Sequence, residues 1–141
     1  MHERPDKPHF RRDLTDQVAR RAEHLPPADR ALLLAALDQG VSTRDLAAMT
    51  GRDLRYVRRH VKNLARRVLS ERFGFVIRNR DAWPSLRRRI AVACILHGRT
   101  LREAAAENST TFYNARKQMD AVQLLIESLK PASPNTPASK E

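Results

Sequence analysis

Cysteine is almost missing from this chain: Cys94 stands alone. One thiol makes neither an internal disulfide nor a cysteine-based zinc site, and the expected setting is a reducing compartment. Aromatic residues are only 5% of the chain, too few for the stacking platforms on which single-strand and RNA binders hold bases. Glycine occurs 4 times, and no run alternates apolar and polar residues over a strand's length. The longest apolar stretch, residues 90–96, falls far short of the ~20 residues needed to span a bilayer. No N-terminal run has the make-up of a signal peptide. His24, His60 and His97 stand apart from one another and from carboxylate clusters, and there is no glycine-rich phosphate loop. An enzyme, a metal site and a bound cofactor are therefore not expected.

Carboxylates are outnumbered as well, at 16 against 27 Lys+Arg, which leaves a net charge of +11. Of those cations 22 are arginine, whose planar fork suits phosphate oxygens and guanine edges. The expected partner is double-stranded DNA, and the expected location the cytoplasm, on the nucleoid. Periodicity is helical throughout, so the expected fold is all-α. Residues 1–12, with two prolines and mixed charges, read as a flexible N-terminus. Leu14, Val18 and Ala22 then mark one face of an amphipathic helix that stops at Leu25-Pro26-Pro27. Residues 131–141, with Pro131, Pro134 and Pro137 among small polar residues, read as a disordered tail.

Between these ends the chain repeats itself. Sliding it by 58 residues lays 25–71 on 83–129 without a gap, with nine identities in 47 positions. Gly40 meets Gly98, Arg44 meets Arg102, Ala47-Ala48 meets Ala105-Ala106, and Arg58 meets Arg116. Apolar positions stay apolar at Leu32/Ile90, Leu37/Ile95, Val61/Met119, Leu64/Val122 and Val68/Ile126. The pattern predicts tandem copies of a three-helix unit, over 13–71 (with the N-terminal helix) and 83–130. Residues 72–82 are expected to be a connector, with a strand-like run at 73–77.

In the first copy, Pro26-Pro27-Ala28-Asp29 opens a helix and Gly40 closes it. Ser42 caps a short second helix containing Leu46 and Ala47, and Gly51 makes a tight turn. Asp53 caps a long third helix whose Val57, Val61, Leu64 and Val68 form a core stripe. A short helix, a glycine turn and a longer helix make a helix-turn-helix. Off the apolar stripe lie Arg52, Arg55, Tyr56, Arg58, Arg59, Lys62, Arg66 and Arg67. From Arg52 to Arg80 there are ten cations and two anions, a local +8. A DNA-reading helix needs this: its N-terminal residues reach base edges while flanking cations neutralise phosphates.

The segment Leu25-Pro-Pro-Ala-Asp-Arg30, then Gly40-Val-Ser-Thr-Arg-Asp-Leu-Ala47, Gly51, and Val57-Arg-Arg-His-Val-Lys-Asn-Leu64 resembles region 4 of bacterial sigma-70-type factors. It is most similar to the extracytoplasmic-function type and its sigma-like helix-turn-helix relatives. The resemblance covers about 25–71, a third of the chain. It implies major-groove recognition by Arg55, Tyr56, Arg58, Arg59 and Lys62, with Arg66 and Arg67 on the DNA backbone. A sigma factor also needs a promoter-melting region 2, and residues 1–24 hold nothing of that kind. The expectation is a promoter-binding transcription regulator. The alternative is an interaction module that mimics region 4, binds RNA polymerase or a partner regulator, and holds DNA only loosely.

The second copy has a Thr100-Leu-Arg-Glu103 capping box and a turn without glycine, where Asn108 is expected to be left-handed. Thr111, Tyr113, Asn114, Arg116 and Lys117 point outward from its third helix, and residues 99–130 carry a net charge of only +1. Two roles stay open for these residues, a weak DNA contact and a protein contact. Val122, Leu124, Leu125, Ile126 and Leu129 exceed one stripe, which favours a homodimer or other protein interface.

Overall fold

The computed structural model describes residues 6–129, all of whose regular elements are helical. The helices are α1 (Asp6–Ala22), α2 (Pro27–Leu37), α3 (Thr43–Thr50), α4 (Leu54–Leu69), α5 (Glu71–Asn79), α6 (Ser85–Ala91), α7 (Leu101–Glu107) and α8 (Phe112–Leu129). A short 3-10 turn (Arg80–Ala82) joins α5 to α6, and α6 runs on into a π-helical turn (Val92–Leu96). The expectations for residues 1–5 and for the tail from 131 lie outside the described residues.

The caps follow local chemistry. Pro26 sits extended before α2, with Pro27 in the first turn, where no amide partner is lost. The Ser42 hydroxyl accepts from the Asp45 amide at 3.0 Å, and the Asp53 carboxylate accepts from the Arg55 amide at 3.0 Å. Thr100 and Glu103 form the complete reciprocal box, at 2.9 and 3.1 Å. Gly51 turns the chain between α3 and α4 with a φ of 71°.

These features recur at the 58-residue offset. Pro26 and Pro84 have the same extended backbone, and Gly40 and Gly98 are left-handed at φ 72° and 73°. The Gln39 and Val41 amides reach back to the Leu34 and Ala35 carbonyls. The His97 and Arg99 amides do the same to Val92 and Ala93, so both first helices end in the same way. Leu33/Ala91, Leu46/Ala104, Val57/Ala115, Leu64/Val122 and Val68/Ile126 are buried in both members of each pair.

Three expectations about the chain's organisation need correction. The N-terminal helix begins at Asp6, not Asp13, so 6–12 are helical rather than a flexible lead. Pro8 falls within the first turn, where proline costs no hydrogen bond. The left-handed residue in the α7–α8 turn is Ser109 (φ 53°), which stands at the Gly51 position, while Asn108 keeps a negative φ. Asn108 instead donates from its side chain to the Ala104 carbonyl at 2.9 Å.

The largest departure is the connector. Residues 71–79 form α5, and Phe73, Gly74, Phe75 and Val76 are all buried. Four consecutive buried residues fit neither a half-buried strand nor a surface helix; they fit a helix enclosed along its middle, with Glu71, Arg72 and Arg78 left exposed toward its ends. α5 packs on α4 on one side and on the π-helical turn after α6 on the other. One core therefore runs from Val18, Leu25 and Leu33 through Leu64 and Phe73 to Leu96, Val122 and Ile126. A smaller cluster of Ile90, Ala93, Ala104, Ala105 and Ala115 holds α6, α7 and α8 together. Arg21 secures the α4–α5 junction by donating to the Val68 and Ser70 carbonyls at 2.8 and 3.2 Å. Gly74 leaves room for that guanidinium, because a Cβ there would lie 2.5 Å from the Arg21 Nη2.

Candidate nucleic-acid interface

Helix geometry sorts the cations of α4. At roughly 100° per residue, Arg55, Arg58, Arg59, Lys62 and Arg66 fall within one stripe about 100° wide. Val57, Val61, Leu64 and Val68 fall within the opposite stripe and are buried. All five cations are exposed, as is Arg52 just before the helix. Among the described residues, none of the six lies within ion-pair distance of a carboxylate. The face is thus five cations along one stripe with no internal counter-charge, carried on a rigid helix. α3 packs across α4 with Leu46 buried and the small Ala47 half-buried at the contact.

Two predicted site residues lie elsewhere. Arg67 is on the flank of α4, half-buried, with its guanidinium 3.5 Å from the Leu96 carbonyl and directly beneath Gly98. Burial pushes its pKa down, only partly offset by Asp29. It ties the first unit to the second rather than lying on the exposed stripe. Tyr56 occupies the same flank and is half-buried. Arg52 stands over its ring at 4.8 Å, and His60 stacks on it at 5.4 Å. His60 in turn meets Asp29 of α2, with Nε2 3.1 Å from Oδ1. This column of Arg52, Tyr56, His60 and Asp29 anchors the start of α4 to α2, and sequence reading missed the pairing. The signal was available: residues 56, 60 and 67 lie roughly 105–145° from the centre of the cation stripe, toward the core side of the helix.

On α8 the same stripe reads Tyr113, Arg116, Lys117, Asp120 and Leu124, all exposed. Five cations in the first unit correspond to two cations and one acid in the second. Thr111 caps α8, its hydroxyl accepting from the Asn114 amide at 3.0 Å, and the Asn114 side chain reaches Thr110 at 3.4 Å. Tyr113 is 70% and Leu124 67% exposed. The broad apolar surface expected on this helix is divided: Val122 and Ile126 are in the chain's own core, Leu125 is half-buried, and Leu124 and Leu129 point different ways.

Burial lowers the pKa of two histidines. For His97 the further causes are Arg99 and Arg67 (lowering) against Glu107 and Asp29 (raising). For His24 they are Arg80 (lowering) against Glu23 (raising). The folded state thus resists protonation more than the unfolded chain does. The associated stability is complete above the ordinary imidazole value of 6.5 and is lost as pH falls through the lower folded values. Urea midpoints are expected to drop between about pH 7.5 and 5.5, and the drop to shrink in the double variant His24→Gln/His97→Gln. An equal drop in that variant would assign the effect to other groups.

Among the described residues no cluster of three or more His, Cys, Asp or Glu side chains could hold a metal ion, and no helix is long and apolar enough to cross a membrane. Comparison with known proteins finds no family model, no curated protein and no solved structure that matches this chain.

Proposed function

We propose that this chain is a DNA-binding transcription regulator that places α4 in the major groove of double-stranded DNA. The observation that carries this reading is the exposed stripe of Arg55, Arg58, Arg59, Lys62 and Arg66, opposite a fully apolar core stripe. Arg58 and Arg59 are the base-reading candidates, and Arg52, Lys62 and Arg66 the phosphate contacts. The sigma region 4-like order of motifs supports the same assignment. We read the recurrence of caps and buried positions at 58 residues as tandem copies of one helix-turn-helix unit.

The second unit has the weaker claim on DNA. Its stripe carries little net charge and exposes Tyr113 and Leu124, which favours a protein contact, with RNA polymerase, a partner regulator or a second copy of this chain as candidates. Arg116 and Lys117 hold the positions of Arg58 and Arg59, so a minor half-site is the other assignment.

Salt titration of the intact protein tests the reading. Affinity for duplex DNA is expected to fall steeply with salt, and Arg66→Ala to reduce the log–log slope by about 1 for all sequences alike. Arg67→Ala is expected to lower the melting temperature and leave that slope unchanged. Salt-independent binding, or no binding to any duplex, would reject the DNA reading in favour of the protein-interaction one.

A further inference from the structure

An open cleft of ≈ 560 Å³ lies where the 3-10 turn, α6 and the end of α7 meet, and none of the α4 stripe residues lines it. Arg80, Arg88, Arg89 and His97 line it, together with Asp81, Glu107 and Asn108. Its arginines are held by neutral partners. Arg89 donates from Nε to the side-chain Oδ1 of Asn108 at 3.1 Å, and from Nη1 to the Ser85 hydroxyl. Arg80 touches the ring Nδ1 of His24 at 3.5 Å. Arg88 is half-buried and, among the described residues, has no acceptor.

The acids do not balance this set. Glu107 is bound to Arg99 at 3.0 Å, and Asp81 is exposed and forms no ion pair among the described residues. Three lining arginines against Asp81, with Glu107 taken up by Arg99, leave an excess of two positive charges around a concave surface. Arg30 is the counterpart of Arg88, but the first unit lacks the rest of the set: at the 58-residue offset, Ala31 and Gln39 stand where the second has Arg89 and His97. Packing of such a helix does not require Arg89 or His97, because the corresponding helix in the first unit folds without them.

We propose that this cleft binds a phosphate group, carried either by a small phosphorylated ligand of mononucleotide size or by the backbone of DNA. The volume is in the range of small-ligand sites. Arg88 is a forked guanidinium with no acceptor of its own among the described residues, the kind of donor that phosphate oxygens take in pairs, and Arg80 and Arg89, held by neutral partners, add positive charge beside it.

The test is calorimetric titration of the full-length protein with inorganic pyrophosphate and with AMP, beside duplex-DNA binding, for wild type, Arg88→Gln and the double variant Arg88→Gln/Arg89→Gln. Circular dichroism verifies that the variants are folded, and the His97 ring resonance reports occupancy locally. The small-ligand form predicts saturable binding of pyrophosphate or AMP that moves the His97 signal and weakens at least tenfold in the double variant. The DNA-backbone form predicts negligible binding of either probe. In that case the double variant loses at least threefold in duplex affinity with a smaller salt slope. The proposal is overturned if both variants match wild type in all three titrations. Arg58→Ala/Arg59→Ala serves as the control. It abolishes recognition by α4 and leaves the cleft's small-probe binding intact, so failure of one site is not mistaken for failure of the other.

Discussion

Replacing Arg58 and Arg59 together with alanine is expected to cost at least about 30-fold in affinity for a selected operator. Each base-reading arginine contributes about 1–3 kcal/mol, and neighbouring residues on one helix need not add fully. Both side chains are exposed and free of carboxylates within ion-pair distance among the described residues. Their loss should therefore leave folding intact, and the effect belongs to binding. An operator selected from random duplexes supplies the substrate, and the double variant should bind that operator no better than scrambled DNA. The parallel variant Arg116→Ala/Lys117→Ala should lose less than tenfold, because the α8 stripe carries Asp120 and Leu124 where α4 has Lys62 and Arg66. Equal losses from the two pairs would make the chain a two-headed reader, with Tyr113, Asn114, Arg116 and Lys117 as primary contacts. A double variant at Arg58 and Arg59 that binds like wild type would remove α4 from the groove.

Phe73→Ala should have the largest effect on stability. Phe73 is 0% exposed and is the bulkiest of the fully buried side chains. Truncating a buried phenylalanine costs about 3–5 kcal/mol through lost transfer energy and the cavity left behind. That is a large share of the ~5–15 kcal/mol that holds a typical domain together. α5 packs on both units, so thermal melting should remain a single transition moved downward, instead of splitting into an early and a late step. If Phe73→Ala does not fold, the milder Phe73→Leu should still lower the melting temperature measurably. A neutral result for both variants would mean that residues 71–79 are only a linker. The shared core also makes the chain a poor subject for bisection. A cut at residue 80 would expose Ala91, Ile95, Leu96, Val122 and Ile126, so the division of labour between the units has to be read from point variants in the intact protein.

What could be read in the linear order was most of what neighbours within a few residues govern, the start of α1 and the left-handed Ser109 excepted. Helix caps at Ser42, Asp53 and Thr100, glycine stops at Gly40 and Gly98, and the four-residue apolar spacing of α4 depend on local hydrogen bonds and the helical period. Each of these is present in the structure. The cation stripe belongs to the same class, because facing on a helix follows from sequence separation alone.

Residues whose surroundings come from distant parts of the chain were decided only on folding. Residues 73–77 carry a strand-like composition, and their helix exists because α4 and the turn after α6 enclose it. Arg67 reads as one more DNA-facing cation until Leu96 and Gly98, 29 and 31 positions later, close over it. His60 reads as isolated until α2 brings Asp29 to 3.1 Å. The arginine-lined cleft draws on residues from Arg80 to Asn108 that share no motif. A local pattern specifies which face of an element is apolar or charged. Only the packing of elements against one another specifies what that face meets, because burial and charge pairing are properties of the enclosed space and not of the chain's order.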